Sequence, residues 1–191
     1  MPAPLLPKEE VLHRLMRTFR DKGYDGASLA ELSAVTGLGK SSLYHHFPGG
    51  KADMARQVLD HLEALLEDAL FEPLRGDLSP KQKLEAMLDT IFEVYEGGRQ
   101  ACLLERLSAS VERRTFRRPL AEAFSKWIDA VDALGREAGL SPAVARKRAE
   151  DLVVRIEGAL VVSAGTGDYA LFERTIAELR SSALAPSARS R

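Results

Sequence analysis

The chain has one cysteine, Cys102, so no internal disulfide can staple it. It also lacks any large excess of charge. With 27 basic and 28 acidic residues the formal net charge is −1, which argues against a protein that coats nucleic acid through overall charge while leaving a local patch able to bind it. Long apolar runs are missing too: the most apolar late segment, 152–165, contains Arg155 and Glu157 and is too short to span a bilayer. The start, MPAPLLPKEE, lacks the basic region and apolar stretch of a secretory signal. A cytoplasmic protein with no membrane partner is therefore expected. There is no strand-like alternation and no internal repeat. No carboxylate pair, nucleophile–base set or metal-ligand motif appears, so the residues support no enzyme, no metal and no cofactor. What is present, 45% hydrophobic and 29% charged residues, is ordinary for a globular chain of one large or two small domains.

The most informative stretch is SLAELSAVTGLGKSSLYHHF, Ser28 to Phe47. Ser28 with Glu31 three residues later makes a capping box, which predicts a helix starting at Leu29. Leu29, Leu32 and Val35 recur at helical spacing as its apolar face, and Gly37 supplies a left-handed stop. Gly39 can cap a second helix in which Leu43 and Phe47, one turn apart, face the first. At 100° per residue Ser41 and His45 then point away from the core, with Lys40 and Tyr44 on one flank and Ser42 and His46 on the other. Two short helices joined by a glycine turn, the second with a polar crest, suit a helix lying in the major groove. Lys51, after Pro48-Gly49-Gly50, falls at the start of the next helix, where its charge and free N–H groups can hold a phosphate. Between Gly37 and Lys51 there is no acidic residue.

The run from Gly37 to Phe47, with a lysine shortly after and a capped helix before, resembles the DNA-binding domain of the tetracycline-repressor (TetR) family over about residues 8 to 60. That resemblance implies a homodimeric one-component regulator, usually a repressor of a palindromic operator released by a small-molecule effector. Carried over by position, it directs Lys40, Ser41 and His45 to bases and Ser28, Ser42, Tyr44, His46 and Lys51 to phosphates. Two positions depart from the family pattern. Ala30 stands where members often carry a base-reading arginine, and Gly39 replaces the usual polar residue, which weakens the case for base readout by the first helix of the pair. Further on, Ala101-Cys102-Leu103-Leu104 resembles a ligand-domain segment of the LmrA/YxaF-like branch.

Other readings of this stretch are poorer. Gly39-Lys40-Ser41 could end a phosphate-cradling loop, but Ala34 replaces the required first glycine and the preceding residues are helical. His45 and His46 diverge by 100° on a helix and have no acid or cysteine at ligand spacing. An ordinary solvated surface leaves the exposure of Tyr44 between lysine and histidine without an account.

The rest reads as helices. Residues 1–7, with three prolines, are expected to form a flexible arm, and Val11, Leu12, Leu15, Met16 and Phe19 stripe a first helix that ends near Lys22-Gly23. A long helix runs from Lys51 to about Phe71. The next begins at the Ser79-Pro80 cap and ends at Gly97-Gly98. Ala101–Val111 is helical, the basic run Glu112–Arg118 a connector or helix end, and Pro119 opens a helix to Gly139. Ser141-Pro142 caps a long helix to Gly165, Tyr169–Leu179 forms the last, and 185–191 is a disordered tail. The fold expected is all-α, an N-terminal three-helix domain over 8–50 followed by a helical bundle over 51–184 for ligand binding and dimerisation. Phe92, Tyr95, Cys102, Phe124 and Trp127 are candidates to line a pocket for an apolar or aromatic effector. Ile156, Gly158, Leu160, Val161, Phe172 and Ile176 are candidates to pair two copies. A helical carrier or enzyme using that pocket, or an activator of the same fold, are the alternatives.

Overall fold

The structure, a computed structural model, describes residues 6–185. The expected arm and tail, all but Leu6, Pro7 and Ala185, lie outside the described residues. Within them the chain is all-α with no strand, and it divides into two compact units, 6–64 with 103–120, and 65–102 with 121–185.

The first unit contains α1 (Lys8–Gly26), α2 (Leu29–Thr36), α3 (Lys40–His46), most of α4 (Gly50–Leu66), α7 (Leu103–Ser108) and the start of α8 (Arg113–Glu137). The regular helix of α1 breaks at Gly23, which takes φ 69°. Its stripe is buried as the periodicity predicts: Leu15 and Phe19 are fully enclosed, with Val11, Leu12 and Met16 beside them. Leu32, Leu43, Phe47, Met54 and Val58 complete the core. α7 packs on α1, and the Asp25 carboxylate accepts the Val111 N–H at 2.9 Å. That is why residues 103–120 join a unit from which they are remote in sequence.

Two expectations are corrected in this unit. Leu29 and Val35 are more than a third exposed, and the inner face of α2 is Leu32 and Thr36. Thr36 can be buried because its hydroxyl donates to the Leu32 carbonyl at 2.7 Å, one turn back, so no polar atom is stranded. Pro119 does not open α8 but lies inside it. The helix starts in the basic run because Phe116 and Leu120, one turn apart, are both buried, and Phe116 meets the Tyr24 ring edge-on at 5.1 Å. A buried aromatic and aliphatic pair offsets the lost N–H of one early proline.

The second unit contains a π-helical stretch, Glu67–Phe71, the short α5 (Glu72–Leu74), α6 (Pro80–Val94), a 3-10 turn (Glu96–Gly98), the rest of α8, α9 (Pro142–Thr166) and α10 (Ala170–Ser182). The long helix expected to reach Phe71 thus ends as α-helix at Leu66 and widens. Ser79 and Gln82 form the capping box of α6 with Pro80 at its first position, and Gly167 ends α9 in the left-handed conformation. α10 packs on α9 and α6. The 3-10 turn comes so close that a Cβ on Gly98 would lie 2.7 Å from that of Phe172, so only glycine fits there. None of the described helices is long and apolar enough to cross a membrane.

Candidate nucleic-acid interface

The site is built from the turn between α2 and α3. Ser28 caps α2, accepting the Glu31 N–H at 3.2 Å, while the Glu31 carboxylate accepts the Ser28 N–H at 3.0 Å. Glu31 is also bonded by the Lys22 ammonium of α1. That ammonium first, then the Ser28 amide and hydroxyl, pull the Glu31 carboxyl down to about 2. The far end of α2 is tied to α1 as well, since Arg14 donates to the Val35 carbonyl at 3.2 Å. Gly37, at φ 68°, turns the chain, and the Ser33 hydroxyl donates to the Leu38 carbonyl at 2.6 Å to hold the turn. Sequence reading missed Arg14, Lys22 and Ser33. Only a Lys and a Glu nine residues apart hinted at one of them, and that spacing carries no helical signal.

On α3 the expected division holds: Leu43 and Phe47 are buried, while Lys40, Ser41, Tyr44, His45 and His46 are exposed and Ser42 half-exposed. The two histidine rings stand edge to face at 5.7 Å, so one short helix presents a lysine, two hydroxyls, a phenol and two imidazoles with no carboxylate among them. Ser28 is exposed at the start of α2, but its hydroxyl is engaged in the capping box. Lys51 is placed differently from the rest. Its ammonium lies 4.5 Å from the centroid of the Tyr24 ring, and partial burial lowers its pKa. The lysine expected at the start of α4 stands there, with its ammonium over an aromatic face.

The other candidate residues fall in the second unit. Phe92 stacks on Phe172 at 6.2 Å and Tyr95 meets the same ring edge-on at 6.3 Å, with the Tyr95 hydroxyl 3.4 Å from the Cys102 sulfur. Phe124 is half-exposed on α8. Trp127 is buried, and its indole N–H finds no acceptor among the described residues. The candidates for pairing two copies split. Ile156, Leu160, Phe172 and Ile176 are buried within their own bundle and so have no surface to offer a second copy, a correction forced by the side of α9 and α10 on which they lie. Gly158 and Val161 are exposed, on the opposite side of α9, in line with Val154, Val162 and Gly165. Among the described residues no three metal-ligand side chains gather.

Residues 11–58 match the family model for bacterial regulatory proteins, tetR family. Residues 80–178 match that for the transcriptional regulator LmrA/YxaF-like, C-terminal domain. The chain is 26% identical over 161 residues to the HTH-type transcriptional regulator LmrA of Bacillus subtilis, covering 82% of this chain and 85% of that protein. A TetR transcriptional regulator from Legionella pneumophila superposes with a TM-score of 0.83 at 18% identity, over 95% of this chain and 98% of that one. The TetR family regulator CifR, solved as a cysteine mutant with a 26 bp double-strand operator, gives a TM-score of 0.73 at 21% identity, over 98% and 100% of the two chains. At these identities the structural likeness carries the fold.

Proposed function

The chain belongs to the tetracycline-repressor family of bacterial regulators and to its LmrA/YxaF-like branch, and from that premise we propose a repressor that binds a palindromic operator as a homodimer and leaves it when a small molecule occupies its C-terminal unit. The family is one of DNA-binding transcriptional regulators, not enzymes. The observation that carries the proposal is α3, whose apolar pair Leu43 and Phe47 is buried while every other side chain on it is polar and none is acidic.

In this reading Ser41 and His45, at the crest, reach base edges, joined by Lys40. Ser42, Tyr44 and His46 meet the phosphates on either side. Lys51 meets a phosphate from its place over the Tyr24 ring, which leaves other N–H donors of the ammonium facing outward. Two copies pair through the outer stripe of α9, Val154, Gly158, Val161, Val162 and Gly165, because an apolar stripe that its own bundle leaves exposed is covered at no polar cost by its twin. Pairing sets the two reading helices about one turn of DNA, roughly 34 Å, apart. For the effector, the buried indole N–H of Trp127 supports an acceptor atom in the ligand, since an unpaired buried donor favours whatever satisfies it.

The test is fluorescence anisotropy on a duplex from the gene's own upstream region, over a range of salt. Specific binding that weakens steeply with salt is expected, because each neutralised phosphate releases counterions. Equal affinity for a scrambled duplex of the same length would overturn the reading.

A further inference from the structure

The start of α8 carries a basic run, Arg113, Arg114, Arg117 and Arg118, to which the account of α3 gives no task. Although more than sixty residues from α3 in sequence, it belongs to the same compact unit. Two contacts fix it there. The Asp25 carboxylate, at the end of α1, accepts the Val111 N–H at 2.9 Å, and the buried Phe116 meets the Tyr24 ring edge-on at 5.1 Å. The same Tyr24 ring carries the Lys51 ammonium, 4.5 Å from its centroid. One aromatic ring therefore stands between the lysine proposed above to meet a phosphate and the helical turn that bears the arginines.

Arg113, Arg114 and Arg117 are exposed, and among the described residues none of the three is bonded to a carboxylate or a carbonyl oxygen. The second unit is different. Every arginine described in it is bonded to one or the other, from Arg75 on Glu67 to Arg180 on Asp89. The acids nearest to the run in sequence are otherwise engaged or weakly held: Asp25 takes the Val111 amide, and the exposed Glu112 accepts only from the Thr115 hydroxyl, at 3.4 Å. Arg113 and Arg114 also stand in the first turn of α8, which contains no acid, and there the helix dipole opposes cations. These charges do not serve their own helix. At 100° per residue Arg113 and Arg117 lie one turn apart on one flank of Phe116, and Arg114 points away from it, so the turn offers guanidinium groups in two directions, all outward.

We propose that Arg113, Arg114 and Arg117 hold phosphates of the same duplex that α3 reads, extending the contact of Lys51 along the DNA backbone. The inference rests on the operator-binding reading. A duplex carries one negative charge for about every 1.7 Å of its axis, so cations fixed beside Lys51 stand in its field, and a guanidinium can grip a phosphate with two parallel N–H donors. The contact adds affinity and holds orientation without reading sequence.

The experiment is fluorescence anisotropy of the full chain on the upstream duplex and on a scrambled one, over a range of salt, comparing the wild type with the triple variant Arg113→Gln, Arg114→Gln, Arg117→Gln. Each lost phosphate contact should lower the salt slope by about 0.9, so the triple variant should lose between about two and three on both duplexes and bind about tenfold or more weakly at low salt. Its preference for the operator over the scrambled duplex should stay as it is. Replacing the three by lysine should keep most of the slope, and Lys81→Gln, an exposed cation of α6, should change nothing. Melting curves establish that the variants fold. If the triple variant does not, Arg114→Gln alone should lower the slope by about one. A folded triple variant with the wild-type slope and affinity would overturn the inference, as would one that lost operator preference while keeping its slope. Wild-type protein that bound both duplexes alike would overturn the operator reading instead, with the arginine contribution still legible in the slope. Binding to neither duplex would overturn both.

Discussion

Helices α3 and α9 each turn one face to their own core and one outward, and the outward faces are opposites. α3 hides an apolar pair and shows a lysine, hydroxyls and imidazoles. α9 buries Leu152, Ile156, Ala159 and Leu160 yet leaves Val154, Val161 and Val162 about half or more exposed. A polar outward face costs nothing in water and so is informative only through its composition, which on α3 lacks acids. An apolar outward face at regular helical spacing is informative through its continuity, and it is this stripe that supports the pairing proposed above.

The largest effect that would break this comparison separates the two sides of α9. Ile156→Ala should lose about 2–5 kcal/mol of protomer stability, the range for emptying a fully buried site. Val154→Ser, two residues away but outside, should cost less and in a way that depends on protein concentration, because only the twin covers it. Urea unfolding of both variants checks the pair, and equal losses would mean that the two sides are not distinct in solution. Next in size is Gly158→Leu. A side chain at Gly158 meets nothing within 4 Å in its own protomer and removes a helix-weakening glycine, so the protomer should gain slightly while the pair separates. Sedimentation should show a shift to monomer, with operator affinity lower by about tenfold or more as bivalent engagement is lost. A Gly158→Leu protein that stayed dimeric would remove α9 from the interface.

How much of this was legible follows from how local each determinant is. The capping box of Ser28 with Glu31, the cap at Ser79-Pro80, the stop at Gly37 and the inward pair Leu43 and Phe47 involve residues within a turn or two of each other, and the sequence displays them. The exposed crest of α3 follows from the same geometry. α9 was harder because apolar residues occur on both sides of it, Leu152, Ile156 and Leu160 inside and Val154, Val161 and Val162 outside. The pattern tells that two sides are apolar but not which one the bundle covers, so it offers Ile156 and Leu160 to a second copy although they point in. Lys51 stands at the start of α4 as its position implies, but its aromatic partner Tyr24 is 27 positions earlier and is reached only through the fold. The basic run at the start of α8 joins the reading unit through Asp25 and Val111, 86 positions apart, and no sequence period encodes that meeting.

On the α3 side of the comparison, His45→Ala should change base preference at one position per half-site, costing about 1–3 kcal/mol against the preferred base. Tyr44→Phe should weaken all duplexes alike and by less, and neither variant should alter the melting temperature much, since both side chains are exposed. Binding to a panel of single-base operator variants reads this directly. A uniform loss for His45→Ala would assign it to the backbone rather than to a base.

The smallest effect concerns how firmly the reading pair is held, and it is a matter of pH. Lys22 first, then the amide and hydroxyl of Ser28, depress the Glu31 carboxyl to about 2 in the folded protein, against about 4.3 in an unfolded chain. A depressed acid contributes stability that is fully present above the unfolded value and is lost as pH falls through the folded one. The difference in stability between the wild type and Glu31→Gln should therefore be constant at neutral pH, begin to shrink near pH 4 and vanish by about pH 2. Carbon-detected NMR titration of the Glu31 carboxyl gives the midpoint itself. Lys22→Met, which removes the first cause, should bring that midpoint back toward the ordinary range while the Ser28 cap remains. A midpoint that Lys22→Met leaves in place would mean that the cap alone sets the carboxyl, and that α1 does not hold α2 through this pair.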